Sequence, residues 1–462
     1  MGIQFASVMV LSRLLSPEDF GLVALSAVFI STGALLRDFG LPTIALQVRT
    51  LSNSQASNLF YITLGLGLAA SAVLVVAAPL LAVLFDEERL TGLLRVMAIA
   101  LVLGGASAQY QVHLARSLKF TALAAAEVVS SVVGLGVAII AAMVGWGYWA
   151  LAAQTVTIAL VLLVAQVAAA RWAPALPRRG EGTRHLLGLG ANYGVAQLLT
   201  FVSSNADTVL VSARWGATDV GYYNRAFQLL TLPVQALLHP LTNVVVPLVN
   251  REREAGTPVD ASLLRVQFAV GSAGVGVFLA AIIAADGVIP LLLGPGWDET
   301  TVLFRILAVG GAVQILSFVS YWSFMLHNQS RQLLYYNLVT KTMAVGLLVW
   351  GSSVSLTAVA AAYSAGLVLS WPINLLWLAR CAGQRSLPFF ASGVRILAAA
   401  VAGGCAGWAI LVVSSELPNL FQAVLGVIGA AAIYLLGLAA TPIGRRDLRD
   451  VARVARGVLR RG

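Results

Sequence analysis

Apolar runs near 20 residues recur along the whole chain, separated by short polar stretches, and no run sustains the alternation that marks a strand. They fall at about 1–15, 18–37, 57–85, 92–115, 120–143, 147–170, 186–211, 218–248, 264–293, 300–326, 332–353, 356–379, 393–414 and 420–440, which is fourteen segments. A helix of roughly 20 apolar residues crosses a hydrocarbon core of roughly 30 Å. The pattern therefore predicts an all-α polytopic membrane protein with about 14 transmembrane helices.

Two of the joins between segments echo one another. Residues 12–21 read SRLLSPEDFG and residues 212–221 read SARWGATDVG, so that Ser12, Asp19 and Gly21 match Ser212, Asp219 and Gly221. A helical membrane chain that repeats halfway along predicts two related bundles. Six segments per copy give both copies one orientation, a parallel repeat. The expected organisation is a first six-helix bundle over 1–170, a cytoplasmic linker over 171–185, and a second six-helix bundle over 186–384. Two additional helices over 393–440 and a basic amphipathic tail over 441–462 follow. The first segment is short: from Gly2 to Leu15 a helix reaches only about 21 Å. At the repeat offset, residues 1–11 align with the second half of segment seven, which predicts that the first helix is truncated and continues upstream of Met1.

Composition sharpens this picture. Hydrophobic residues make up 59% of the chain and charged residues 10%, with a mean hydropathy of +0.88. A soluble domain carries roughly 25% charged residues, so this chain cannot cover a water-facing surface. The net charge of +10 is almost all arginine, Lys119 and Lys341 being the only lysines. Alternate loops and the C-terminal stretch hold most of it, from Arg49, Arg116 and Arg171 through Arg251, Arg253, Arg331, Arg380 and Arg385 to Arg445 and Arg446. The opposite loops hold Arg13, Arg89 and Arg214, but also Glu18, Asp19, Asp86, Glu87, Glu88, Asp219, Asp286, Asp298, Glu299 and Glu416. That split is the positive-inside pattern, with both termini cytoplasmic. The basic excess thus sets orientation and predicts no nucleic-acid partner.

With the segments in place, a family resemblance is visible. The run SRLLSPEDFGLVALSAVF followed by LLRDFGLPTIALQ resembles the N-terminal signature of bacterial polysaccharide flippases. These are the Wzx-type exporters of the polysaccharide transporter family, within the superfamily that includes multidrug (MATE) exporters. The subgroup is the one with colanic acid and teichuronic acid exporters. NADTVLVSARWGATDVGYYNRAFQLLTLP, from Asn205 to Pro233, is similar to the matching segment of the second half. The resemblance implies a flippase that moves undecaprenyl-diphosphate-linked oligosaccharide across the bacterial plasma membrane by alternating access. It also implies coupling to H+ or Na+, with a glycan polymerase and glycosyltransferases as partners.

Such a cargo sets two chemical demands: cations for a diphosphate, and aromatic and amide side chains for sugars. Intramembrane charge is costly and is a functional candidate by default. The cations inside segments are Arg95, Arg225, Arg305 and Lys341. Arginine can grip two phosphate oxygens at once, which puts Arg225 and Arg305 first for the diphosphate. The competing reading is that they snorkel to an interface or pair with a carboxylate. Tyr336, Asn337 and Gln197 are candidates to face sugar, and Asp207 and Glu127 are candidates for ion coupling. Pro233, Pro240 and Pro247 predict a bend in segment eight. Asp38 and Gly40 read as a helix end, and Gly403 and Gly407 have the spacing of close helix packing.

Other chemistry finds no support. The four histidines do not cluster, the two cysteines have no metal-ligand spacing, and no phosphate-cradling loop is present, so neither metal nor cofactor is expected. A multidrug or lipid II exporter of the same superfamily stays open as an alternative. A membrane-embedded glycan polymerase or ligase also stays open, but it should carry a large outward loop, and these loops are short. The reading is a transporter and not an enzyme.

Overall fold

The computed structural model describes residues 2–177 and 183–449, and within them every regular element is helical. The central part of the expected linker and the tail beyond Arg449 lie outside the described residues, so the amphipathic tail is followed only over 442–449, which are helical. All fourteen apolar segments form helices: α1 (Gly2–Leu14), α2 (Pro17–Asp38), α4 (Asn53–Leu84), α5 (Arg89–Met97) with α6 (Ile99–Arg116), α7 (Phe120–Met143), α8 (Tyr148–Ala170), the long run α9 (Thr183–Glu254), α10 (Val259–Leu293), α11 (Asp298–Leu326), α12 (Ser330–Ser352), α13 (Leu356–Ala382), α14 (Ser386–Val413) and α15 (Asn419–Ala439). Among the described residues, eleven helices are long and apolar enough to span a membrane, and Phe5–Leu14 is a shorter apolar helix. The chain is a multi-pass membrane protein.

Two details differ from the hydropathy pattern. A short helix α3 (Leu41–Gln47) follows α2, started by Gly40 in the left-handed region at φ 71°. Its carbonyl end is closed by Arg116, which donates to Ala45 O (2.7 Å) and Val48 O (2.8 Å). Seven residues are too few to register as an apolar run. Segments seven and eight are a single helical run, α9, broken only at Gly216 (φ 81°, ψ −177°), a conformation that favours glycine. The run continues through Pro233, Pro240 and Pro247.

The chain divides into two compact units, 1–224 and 225–462. In unit 1, Leu22 and Leu25 of α2 share a core with Leu74 and Ala78 of α4, Leu90, Leu93, Leu94 and Met97 of α5, and Ala152 of α8. Its helix ends alternate as an up-and-down order requires. At one end Arg89 donates to Glu18 (2.5 Å) and Glu87 (2.7 Å) and lies over the ring of Tyr148, joining the starts of α2, α5 and α8. At the other, Trp172 after α8 donates to Asn53 at the start of α4 (2.6 Å) and stacks on His113 of α6.

In unit 2 the same alternation holds. Arg305 of α11 pairs with Asp286 of α10 at one end, while Asp260, His327 and the backbone of Arg385 meet at the other. The helices α14 and α15 pack on each other and on α10. A side chain at Gly403 would meet Ala430 O at 2.7 Å, and one at Gly407 would meet Gly426 O at 3.0 Å, so the glycine spacing marks this seam.

Candidate functional site

The echoed segment is where the fold is most closely specified. Ser16 caps α2: its hydroxyl accepts from Asp19 N (3.2 Å), and Asp19 Oδ2 accepts from Ser16 N (2.9 Å), with Pro17 in the first helical position. In the second copy Gly216 stands where Ser16 stands and begins the second arm of α9. Ser12 and Ser212 are both buried. The two copies then cross each other. A side chain on Gly21 would lie 1.6 Å from Ala217 O, and one on Gly221 would lie 1.9 Å from Pro17 O. At the offset of 200, Pro17 matches Ala217 and Gly21 matches Gly221, so each glycine rests on the backbone of its counterpart's helix start. That reciprocity is the contact expected of two duplicated elements facing one another about a local twofold axis.

Within unit 1, Asp207 is 4% exposed; Oδ1 accepts from Thr208 N (2.8 Å) and Oδ2 from the hydroxyl of Tyr223 (3.0 Å). Both residues lie in α9, on either side of Gly216, so the bond holds the two arms of the break together. Glu127 is exposed on α7, Arg95 is exposed on the face of α5 opposite its buried leucines, and Gln197 is exposed on α9. Among the described residues, no hydrogen bond or ion pair joins Glu127 or Arg95 to Asp207.

Within unit 2, Arg225 is 9% exposed and donates to Gln228 Oε1 one helical turn on. Arg305 is half-buried and paired with Asp286, the carboxylate pairing that competes with a phosphate role. Tyr336 faces α13: its hydroxyl donates to Ser370 O (3.2 Å), and its ring packs against Phe324 and Trp377. Its neighbours Asn337 and Lys341 are half-buried and four residues apart, which sets them on one face of α12.

A cation not marked in the sequence reading is Arg37, near the end of α2. It is 13% exposed, binds Asp38 with two bonds (2.7 and 2.9 Å), and fills a notch left by missing side chains. A side chain at Gly104 would sit 1.8 Å from its Nη1, and one at Gly67 would sit 3.4 Å from its Cδ. The paired glycines of α4 and α6 are the sequence signal, legible only once those helices are placed beside α2. Outside the spans, the Arg89 guanidinium bonded to Glu87 holds that carboxyl below the usual carboxylate range.

Comparison with known proteins agrees with this architecture. The chain is 23% identical over 287 residues to the teichuronic acid biosynthesis protein TuaB of Bacillus subtilis, covering 61% of this chain and 59% of that one. It is 30% identical over 251 residues to the succinoglycan biosynthesis transport protein ExoT of Rhizobium meliloti, covering 53% and 50%. It is 21% identical over 320 residues to the lipopolysaccharide biosynthesis protein WzxC of Escherichia coli, covering 68% and 64%. The matches thus span about half to two-thirds of the length of these curated relatives. Among solved structures, the lipid II flippase MurJ in its inward closed conformation has the same fold, with a TM-score of 0.73 at 13% identity over 96% of this chain and 97% of that one. An inward-facing multidrug resistance MATE family transporter gives 0.60 at 14% identity over 83% and 95%. The family described as polysaccharide biosynthesis protein matches residues 10–302. With nearly two-thirds of its length inside that match, this chain belongs to the polysaccharide biosynthesis protein family.

Proposed function

We propose that this protein is a flippase for lipid-linked oligosaccharide, carrying undecaprenyl-diphosphate-linked units across the bacterial plasma membrane by alternating access for assembly of a surface polysaccharide. The observation that carries the reading is the buried guanidinium of Arg225 in a membrane chain of this family. A cation held out of water is expensive, and a diphosphate headgroup is a cargo that repays it. Arg37, set in its glycine notch, is a second intramembrane cation whose pair with Asp38 would have to open to admit a phosphate, and Asn337 with Lys341 supply an amide and a cation on one face for the glycan. Asp207 is the proposed ion-coupling residue, for H+ or Na+, since it is buried and its bond from Tyr223 crosses the break in α9. The names of the relatives, in polysaccharide biosynthesis and transport, support a polysaccharide cargo, and the loop charges support cytoplasmic termini.

The proposed role is transport and not catalysis. The short loops leave no room for the extended outward domain of a polymerase or ligase, which would be a partner of this protein together with glycosyltransferases. The crossing at Gly21 and Gly221, where backbone rests on backbone, is the proposed point at which the two echoed segments touch and part. The experiment is complementation of a flippase-null strain with the full chain and with Arg225→Ala. The wild type should restore surface polysaccharide and the variant should not. Normal polysaccharide from the variant removes Arg225 from the proposed site.

A further inference from the structure

At one end of unit 2, three parts of the chain that are far apart in sequence converge on Asp260. The first turn of α10 brings the carboxyl itself. The end of α11 brings His327, and the turn between α13 and α14 brings the backbone N–H of Arg385, which donates to Asp260 Oδ2 (3.4 Å). Asp260 and His327 border a polar cavity of about 360 Å³, lined also by Arg253, Pro258, Val259, Leu326 and Asn328. Asp260 Oδ1 is buried without a hydrogen bond and faces His327 Nε2 at 3.7 Å.

The tautomer of His327 decides what that contact means. Nδ1 lies 2.9 Å from the carbonyl oxygen of Ser323 and 3.3 Å from its hydroxyl; the carbonyl is the nearer and accepts only, which assigns the proton to Nδ1. In the neutral ring Nε2 is therefore a bare lone pair, aimed at the lone pairs of a carboxylate. The contact is attractive only when the pair holds one more proton. We propose that His327 and Asp260 are a proton-binding site that ties the ends of α10 and α11 together when occupied. One proton from the adjoining water binds Nε2, the pair passes from a net charge of −1 to zero, and an N–H donor then faces Asp260 Oδ1.

The charges facing this site come from every element around it. Arg253 of α9 lines the cavity. Glu252 of α9 accepts from Ser262 and from Arg265 of α10, so those two charges are committed to each other. Arg331 of α12 is turned onto Tyr335 (3.1 Å). From the α13–α14 turn, Gln384 is buried and neutral, and the Arg385 side chain is exposed. Among the carboxylates of the described residues, Asp260 is the one within 4.0 Å of His327 Nε2. The tie does not depend on which cargo the chain carries.

The test is hydrogen–deuterium exchange of the full chain in lipid nanodiscs at about pH 5.5 and about pH 8.5, corrected for the intrinsic pH dependence of exchange. The segments read are 255–263 and 321–329. Wild type should exchange about twofold to fivefold more slowly there at the lower pH, the effect of one partly buried ion pair. His327→Gln, which keeps the length of the ring but cannot titrate, and Asp260→Asn, which removes the charge, should each abolish that difference. A wild type without the difference overturns the proposal before any variant is made. So does a difference that survives in either variant, whereas a merely structural role for His327 would lower protection at both pH values alike.

Discussion

Substituting Gly221 by alanine probes the crossing of the two echoed segments with one methyl group. The new Cβ would fall 1.9 Å from Pro17 O and 2.6 Å from Pro17 C, whereas ordinary contact begins near 3.4 Å. The two helices must therefore part by about 1.5 Å at this point, and neither neighbour is a flexible side chain that can swing away. Forcing a methyl into a packed site costs roughly 1–3 kcal/mol, which is about 5- to 150-fold in an equilibrium between the touching and the parted arrangement. The assay introduces Val220→Cys, at a position with 0% exposure beside the crossing, in a chain with Cys381→Ala and Cys405→Ala. Its labelling by a water-soluble maleimide reports the parted fraction when opening is fast relative to reaction. Labelling should speed up about 5- to 150-fold on Gly221→Ala, and Gly21→Ala, whose Cβ would lie 1.6 Å from Ala217 O, should act at least as strongly. Gly346→Ala, with nothing within 4 Å, is the control and should leave labelling unchanged. Equal rates in Gly221→Ala and its parent would refute the claim that the two backbones rest on one another.

Three further outcomes follow from the geometry. Tyr223→Phe removes a buried donor from Asp207 Oδ2 and should cost about 1–3 kcal/mol in denaturant unfolding, since the carboxyl keeps its burial and loses a bond; an unchanged midpoint removes the proposed strut across Gly216. Gly104→Ala should displace Arg37 while leaving the thermal midpoint unchanged or raised, because alanine favours a helix over glycine by about 0.5–1 kcal/mol; export should fall, and normal export removes Arg37 from the proposed site. The lowered pKa of Glu87 means that its bond to Arg89 stabilises the fold above the usual carboxylate range and that this contribution is lost as pH falls. Arg89→Gln should therefore flatten the dependence of the thermal midpoint on pH below about pH 5, and an unaltered acid limb counts against the pairing.

Much of the fold is written in the hydropathy of the chain, because membrane helices must satisfy their backbones internally and show as apolar runs. The echo also carried more than duplication. In the structure Ser16 and Asp19 cap α2 and Gly21 is its contact, while at the matched positions Gly216 starts the second arm of α9 and Gly221 makes the reciprocal contact. The site was harder to read, because burial and pairing depend on helices distant in sequence. Arg305 looks like a phosphate ligand until Asp286, in the preceding helix, is placed beside it. Tyr336 looks like a sugar platform until α13 covers it. Arg37 drew no notice because its meaning lies in the absence of side chains at Gly67 and Gly104. Arg225 and Asp207 were legible as charges in apolar runs, and the structure adds their burial and their partners.

The central claim is tested most directly in proteoliposomes that hold the full chain and an undecaprenyl-diphosphate-linked oligosaccharide, with the fraction of glycan in the outer leaflet followed by a membrane-impermeant lectin. Starting from glycan confined to the inner leaflet, wild-type protein should expose it far faster than protein-free vesicles do, and Arg225→Ala should return the rate to that of the protein-free control. Exposure by the wild type no faster than in protein-free vesicles, with or without an imposed H+ or Na+ gradient, would contradict the account.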